Sequence, residues 1–205
     1  GQYDLAIADC NKAIELDPNL AGAYANRASA YGSKGQYDLG IADCNKAIEL
    51  DPNLPIAYIN RGTAYSYKGQ HDLAIADYNK AIQLDPNLPM AYVNRGADYY
   101  YKGQYDLAIA DCSKAIELDP NLAAAYDNRA WAYNAKGQYD LGIADCTKAI
   151  QLDPNYTMAY VNRGFAYKEQ GKKAEAIADF QKLITLTANP QLIEMARQQI
   201  EELSR

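Results

Sequence analysis

The tripeptide Asp-Pro-Asn stands at residues 17–19, 51–53, 85–87, 119–121 and 153–155, each copy 34 residues after the last. A second phrase, Tyr-x-Asn-Arg-[Ala/Gly], stands at 24–28, 58–62, 92–96, 126–130 and 160–164 with the same interval. No insertion breaks the register. A fixed period of this length marks an array whose repeats cannot bury their apolar faces alone. Stability then becomes a sum of nearest-neighbour terms, and near-identical copies suit near-identical interfaces. The period divides the chain into a second half-repeat at 1–20, full copies at 21–54, 55–88, 89–122, 123–156 and 157–190, and a tail at 191–205.

Each copy carries two helical patterns. Ala57, Tyr58, Arg61, Gly62 and Tyr65 share one helix face, and the pattern ends at Lys68-Gly69, a basic last turn followed by a C′ glycine. Leu73, Ala74, Ile75, Tyr78, Ala81, Ile82 and Leu84 make the second, with Asp72 at the positive end of its dipole. Asp85-Pro86 stops it, because proline disfavours the α region in the residue before it. Pro55 and Pro89 open the following helices, where a missing N–H costs nothing. In the tail, Leu192, Ile193, Ala196, Ile200 and Leu203 form one apolar stripe, which reads as a capping helix.

A helix pair repeated every 34 residues resembles the tetratricopeptide repeat. Counting from Pro55, the matching residues are Tyr58, Arg61, Gly62, Tyr65, Ala74, Tyr78, Ala81 and Pro86. The departures are Tyr for the family's Trp, Arg for its Leu, and Cys or Tyr for its Phe. The resemblance implies an all-α, right-handed superhelical solenoid of antiparallel helix pairs, with a concave groove lined by the first helices.

By the same register the groove would hold Asn26, Asn60, Asn94, Asn128 and Asn162, one residue before each Arg. An amide offers donor and acceptor together and could grip a peptide backbone; the alternative is that these Asn tie neighbouring helices. The remaining groove positions vary between copies: Ile59, Thr63, Tyr67, Val93, Ala97, Tyr100, Tyr101, Asp127, Trp131, Val161 and Phe165. Tyr and Trp are favoured as interface anchors. Some relatives clamp a C-terminal carboxylate with Lys and Arg; the corresponding places here hold Ile56, Ile59, Asn60 and Met90, Val93, Asn94, so that ligand is not expected.

Arg27, Arg61, Arg95, Arg129 and Arg163 occupy the position where the family buries Leu, and every second helix carries an Asp: Asp9, Asp43, Asp77, Asp111, Asp145 and Asp179. A partly buried guanidinium wants a bidentate carboxylate, which predicts a ladder of ion pairs. Cys10, Cys44, Cys112 and Cys146 alternate with Tyr78 and Phe180 at one position, so they read as free, buried packing residues.

No catalytic constellation is legible. His71 is the single histidine, the carboxylates recur at repeat spacing, and there is no Cys-x-x-Cys pair or Gly-rich phosphate loop. No catalytic residue, metal or cofactor is expected. A net charge of −6 disfavours nucleic acid, and no apolar run approaches the length of a membrane span. The chain opens inside the repeating phrase, which reads as a fragment, so the absence of a targeting segment carries little weight; the location is open, with the cytoplasm favoured. The expected function is a non-catalytic scaffold binding a protein or extended peptide in its groove. The alternatives are self-association through the N-terminal face and the interaction domain of a larger enzyme.

Overall fold

The computed structural model describes residues 1–205 as twelve α-helices without strands. They fall into two compact units, residues 1–102 and 103–205. The first contains α1 (Gln2–Leu16), α2 (Ala21–Ser33), α3 (Tyr37–Leu50), α4 (Pro55–Tyr67), α5 (His71–Leu84) and α6 (Pro89–Tyr101). The second contains α7 (Tyr105–Leu118), α8 (Ala123–Ala135), α9 (Tyr139–Leu152), α10 (Thr157–Glu169), α11 (Lys173–Leu186) and α12 (Pro190–Ser204). Within each unit successive helices pack on one another, and alternate helices such as α2 and α4, or α8 and α10, also touch.

The repeating phrases encode the turns. After α2 the chain reverses through Gly35 at φ 72°, a left-handed conformation that favours glycine. There Gln36 N–H donates to Tyr31 O at 2.9 Å, satisfying a carbonyl the helix leaves open. At the other turn Asp51 is extended (φ −138°) before Pro52, and its carboxylate accepts the Asn53 N–H at 2.9 Å. Asp-Pro-Asn is therefore a helix stop and an Asx turn in one tripeptide. The Tyr of the next helix closes the same turn: Tyr58 Oη donates to Pro52 O at 3.1 Å.

The interior is built largely of alanine, which lets helices approach closely; Ala25, Ala47, Ala57, Ala74 and Ala81 are fully buried. Larger groups fit where the facing helix gives way. Tyr78 and Phe180 are buried, and a Cβ at Gly62 or Gly164 would lie 2.8 Å from Tyr78 Cε1 or 2.9 Å from Phe180 Cε1. Where the aromatic is replaced by Cys44 or Cys146, the facing position holds Ala28 or Ala130. In the second unit α12 packs on α11 and adds Ala196 and Leu203 to a cluster with Phe180 and Leu183.

All four cysteines are free. Cys44, Cys112 and Cys146 are buried, but Cys10 is only half-buried, which corrects the expectation that all four are core residues. Cys44 lies between α2 and α4, whereas α1 has a helix against it on one side, α2.

Candidate ligand-binding face

Arg27, Arg61, Arg129 and Arg163 of the repeated phrase each join three helices. Arg61 donates from Nε and Nη2 to Asp77 at 2.8 and 2.7 Å, sixteen residues ahead, and from Nη1 to Asn45 at 2.7 Å, sixteen behind. The same forward pair forms at Arg27–Asp43, Arg129–Asp145 and Arg163–Asp179. The backward bond goes to Asn11, Ser113 or Thr147; from Arg95 it goes to Asn79. In four of the five copies the guanidinium also lies between two rings of its own helix, as where Arg27 is 5.5 Å from the Tyr24 centroid and 6.0 Å from that of Tyr31; Arg61 has the ring of Tyr58 at 5.6 Å. Much of the tyrosine content thus serves as bedding for the Arg row. Bonded on all sides, these arginines are structural and leave no fork for a ligand.

The Asn row is engaged as well. Asn60 Nδ2 donates to Ala25 O at 3.0 Å, Asn94 Nδ2 to Thr63 Oγ1 at 3.3 Å, and Asn162 Nδ2 to Asp127 Oδ1 at 2.8 Å. Each bond reaches back to the preceding first helix. Asn26 is exposed and borders a shallow hollow with Cys10 and Leu20; Asn128 is half-buried. Ile59 and Val93, expected on the open groove, are 8% and 3% exposed, which corrects that expectation. One residue before the Asn, they face the neighbouring helices, and Asp127 and Val161 share that buried position.

Besides Asn26, the exposed candidates are two tyrosines. Tyr67 is 70% and Tyr101 58% exposed. Tyr67 stacks on Tyr37 (centroids 5.1 Å apart, planes 7° apart), and Tyr101 on His71 (5.2 Å, 15°). Tyr100 meets the edge of Tyr101 at 5.8 Å. Trp131 is half-buried. Phe165 packs edge-on to Phe180 at 5.3 Å and belongs partly to the core.

Sequence reasoning missed two buried polar groupings. Asp98, fully buried, accepts from Ser66 Oγ at 2.9 Å, and its Oδ1 lies 2.5 Å from His71 Nδ1. Burial raises its pKa, against the pull of His71 and Ser66. Ser66 and His71 meet the same carboxylate oxygen, Oδ1, and Oδ2 has no hydrogen-bond partner. In the second unit Asp127 is buried, and desolvation pushes its pKa up to about 6 although Asn162 bonds it. The available signal was complementary departure from the repeat. Asp98 replaces Ala30, Ala64, Ala132 and Ala166, and His71 replaces Tyr37, Tyr105 and Tyr139. No group of three or more His, Cys, Asp or Glu side chains could hold a metal ion, and no helix is long and apolar enough to cross a membrane.

Sequence-family models for the tetratricopeptide repeat match residues 21–54, 55–88, 89–122, 112–144 and 158–190, and a related TPR repeat model matches 1–35 and 130–171. The chain belongs to the tetratricopeptide repeat family. No curated protein sequence matches it significantly. Among solved structures, the Cut9–Hcn1 hetero-tetramer of the APC/C aligns with all of this TPR chain at a TM-score of 0.91 and 19% identity, and the alignment spans 40% of the matched chain. YrrB, described as a TPR protein with an unusual peptide-binding site, aligns over 92% of this chain and 97% of its own at 24% identity and a TM-score of 0.65. MamA from Desulfovibrio magneticus RS-1 aligns over 81% and 94% at 25% identity and a TM-score of 0.69. At these identities the likeness concerns the fold.

Proposed function

We propose that this TPR array is a non-catalytic scaffold that binds a protein or an extended peptide segment on the face formed by the first helices of its repeats. The observation that carries the reading is the exposure of Tyr67 and Tyr101 on that face, 70% and 58%. Large rings held by stacking partners lose little freedom on binding, which suits anchors. The Asn row, with three of its amides bonded within the array, contributes shape more than grip. YrrB, a relative in fold whose structure is described by its peptide-binding site, lends the reading analogy.

The test is a peptide array probed with the protein and with a Tyr67→Ser/Tyr101→Ser variant of unchanged melting temperature. Selective binding that the variant loses supports the reading. Equal binding by both, or no selective binding, sinks it. A second reading, self-association, draws on α1, where Leu5 and Leu16 are 69% and 77% exposed. Sedimentation over a range of concentrations separates the two.

A further inference from the structure

We infer that the cleft between α2 and α4 is a pocket for an aromatic side chain with a polar tip, tyrosine or tryptophan. That the ring arrives on a peptide rests on the function proposed above; the pocket itself stands on its own geometry. The cleft has a volume of about 340 Å³ and is bordered by Ser29, Gly32 and Ser33 of α2 and by Asn60, Thr63 and Tyr67 of α4.

Its emptiness comes from the residue at position 32. In three other copies the equivalent residue spans the cleft to the next first helix or to α12. Ser66 Oγ donates to Asp98 at 2.9 Å, Asn134 Nδ2 to Asn162 O at 3.1 Å, and Lys168 Nζ to Gln199 and Glu202 at 2.7 and 2.8 Å. Gly32 has no side chain to do this, and a Cβ built there meets nothing within 4 Å. The place of Ser29 is taken by Trp131 and Phe165 in the two copies that follow residue 122. The first full repeat thus lacks both the spanning group and the ring that other copies supply from their own chain.

The lining sets the chemistry. Tyr67, stacked on Tyr37 and largely exposed, offers a flat wall to a third ring. Thr63 Oγ1 accepts from Tyr78 Oη and Asn94 Nδ2, so its own O–H remains to donate. Asn60 uses its amide nitrogen on Ala25 O, leaving the side-chain carbonyl as an acceptor. A phenol or an indole N–H meets such partners. No charged side chain borders the cleft, so a carboxylate, ammonium or phosphate would give up water without a counter-charge.

The experiment uses N-acetyl-tyrosinamide as the probe and isotope-labelled protein, read by amide chemical shifts. We expect saturable shifts centred on Ser29, Gly32, Ser33 and Thr63. They should be lost in Gly32→Asn, which installs the residue found at position 134. Phosphorylation of the probe's phenol should weaken binding at least tenfold. Ser29→Trp, copying position 131, is the second blocking variant should Gly32→Asn disturb distant amides. Absence of shifts at these residues, shifts that survive both variants, or equal binding of the phosphorylated probe overturns the proposal. If peptides bind the face but the probe does not enter the cleft, the pocket is wrong and the scaffold reading stands. If the probe binds here and no peptide binds, the reverse holds.

Discussion

Arg61 holds Asp77 through two parallel hydrogen bonds of 2.8 and 2.7 Å, and Asp77 is only 6% exposed. The pair joins α4 to α5, and the third guanidinium bond carries the link back to Asn45 on α3. Arg61→Leu, which installs the residue usual in the family, would strand the Asp77 carboxylate, and we expect it to cost about 3 kcal/mol. Combining it with Asp77→Ala should recover much of that loss, because no charge is then left alone. Urea unfolding of the parent and the two variants is the measurement. Identical midpoints for single and double variants would mean that the residues are not coupled.

Gly62 faces the ring of Tyr78, with 2.8 Å from an added Cβ to Cε1. Alanine is the better helix former by about 1 kcal/mol, yet the clash should outweigh that, since overpacking costs about 1–3 kcal/mol. Gly62→Ala should therefore be neutral to destabilising, by up to about 2 kcal/mol. Adding Tyr78→Cys reproduces the Ala28–Cys44 and Ala130–Cys146 combinations and should make the alanine favourable in that background. If Gly62→Ala stabilises equally with Tyr78 or Cys at position 78, the two sites are independent.

Asp127 gives a pH dependence of defined sign. Its carboxyl rises from 3.8 to about 6 on folding because burial penalises the charge. The folded state therefore holds the proton more tightly, and this stability is present below about pH 4 and lost as pH rises through about 6. A shift of about two units corresponds to about 3 kcal/mol at most. Asp127→Asn keeps an acceptor for Asn162 and removes the charge. It should be more stable than the parent above pH 6 and show a smaller decline between pH 4 and 6. A variant that is less stable than the parent at pH 7.5 would contradict this account.

The thiols should divide by accessibility. Desolvation pushes Cys44 and Cys112 up to about 12 and Cys146 well above its ordinary value, so the reactive thiolate is scarce and shielded. Cys10 borders an open hollow. Titration of native protein with a thiol reagent should give one prompt reaction, lost in Cys10→Ser, and three more only on unfolding. Prompt labelling of all four would refute the packing described for the other three.

The helices and turns were legible because their causes are local. The Asx turn of Asp51, the left-handed Gly35 and the proline at the start of α4 each act within a few residues of their own position. The Arg–Asp ladder was legible too, since charge and register predicted it. The open groove was less so. A helical register places Ile59 and Asn60 about 100° apart but does not say which direction a neighbouring helix covers. Only the packed structure showed Ile59 buried and the Asn60 amide spent on Ala25.

By itself the sequence determined the period, the helix pairs and their stops, and thereby the family. Tertiary structure decided what repetition cannot encode: how the departures from the repeat meet. Ser66, His71 and Asp98 are unremarkable until α4, α5 and α6 pack, and Gly32 is an ordinary helical glycine until α4 shows nothing filling its place. Local propensity acts over a turn or two of chain, whereas these contacts join residues 27 to 35 apart whose partnership depends on which side chains the next repeat presents.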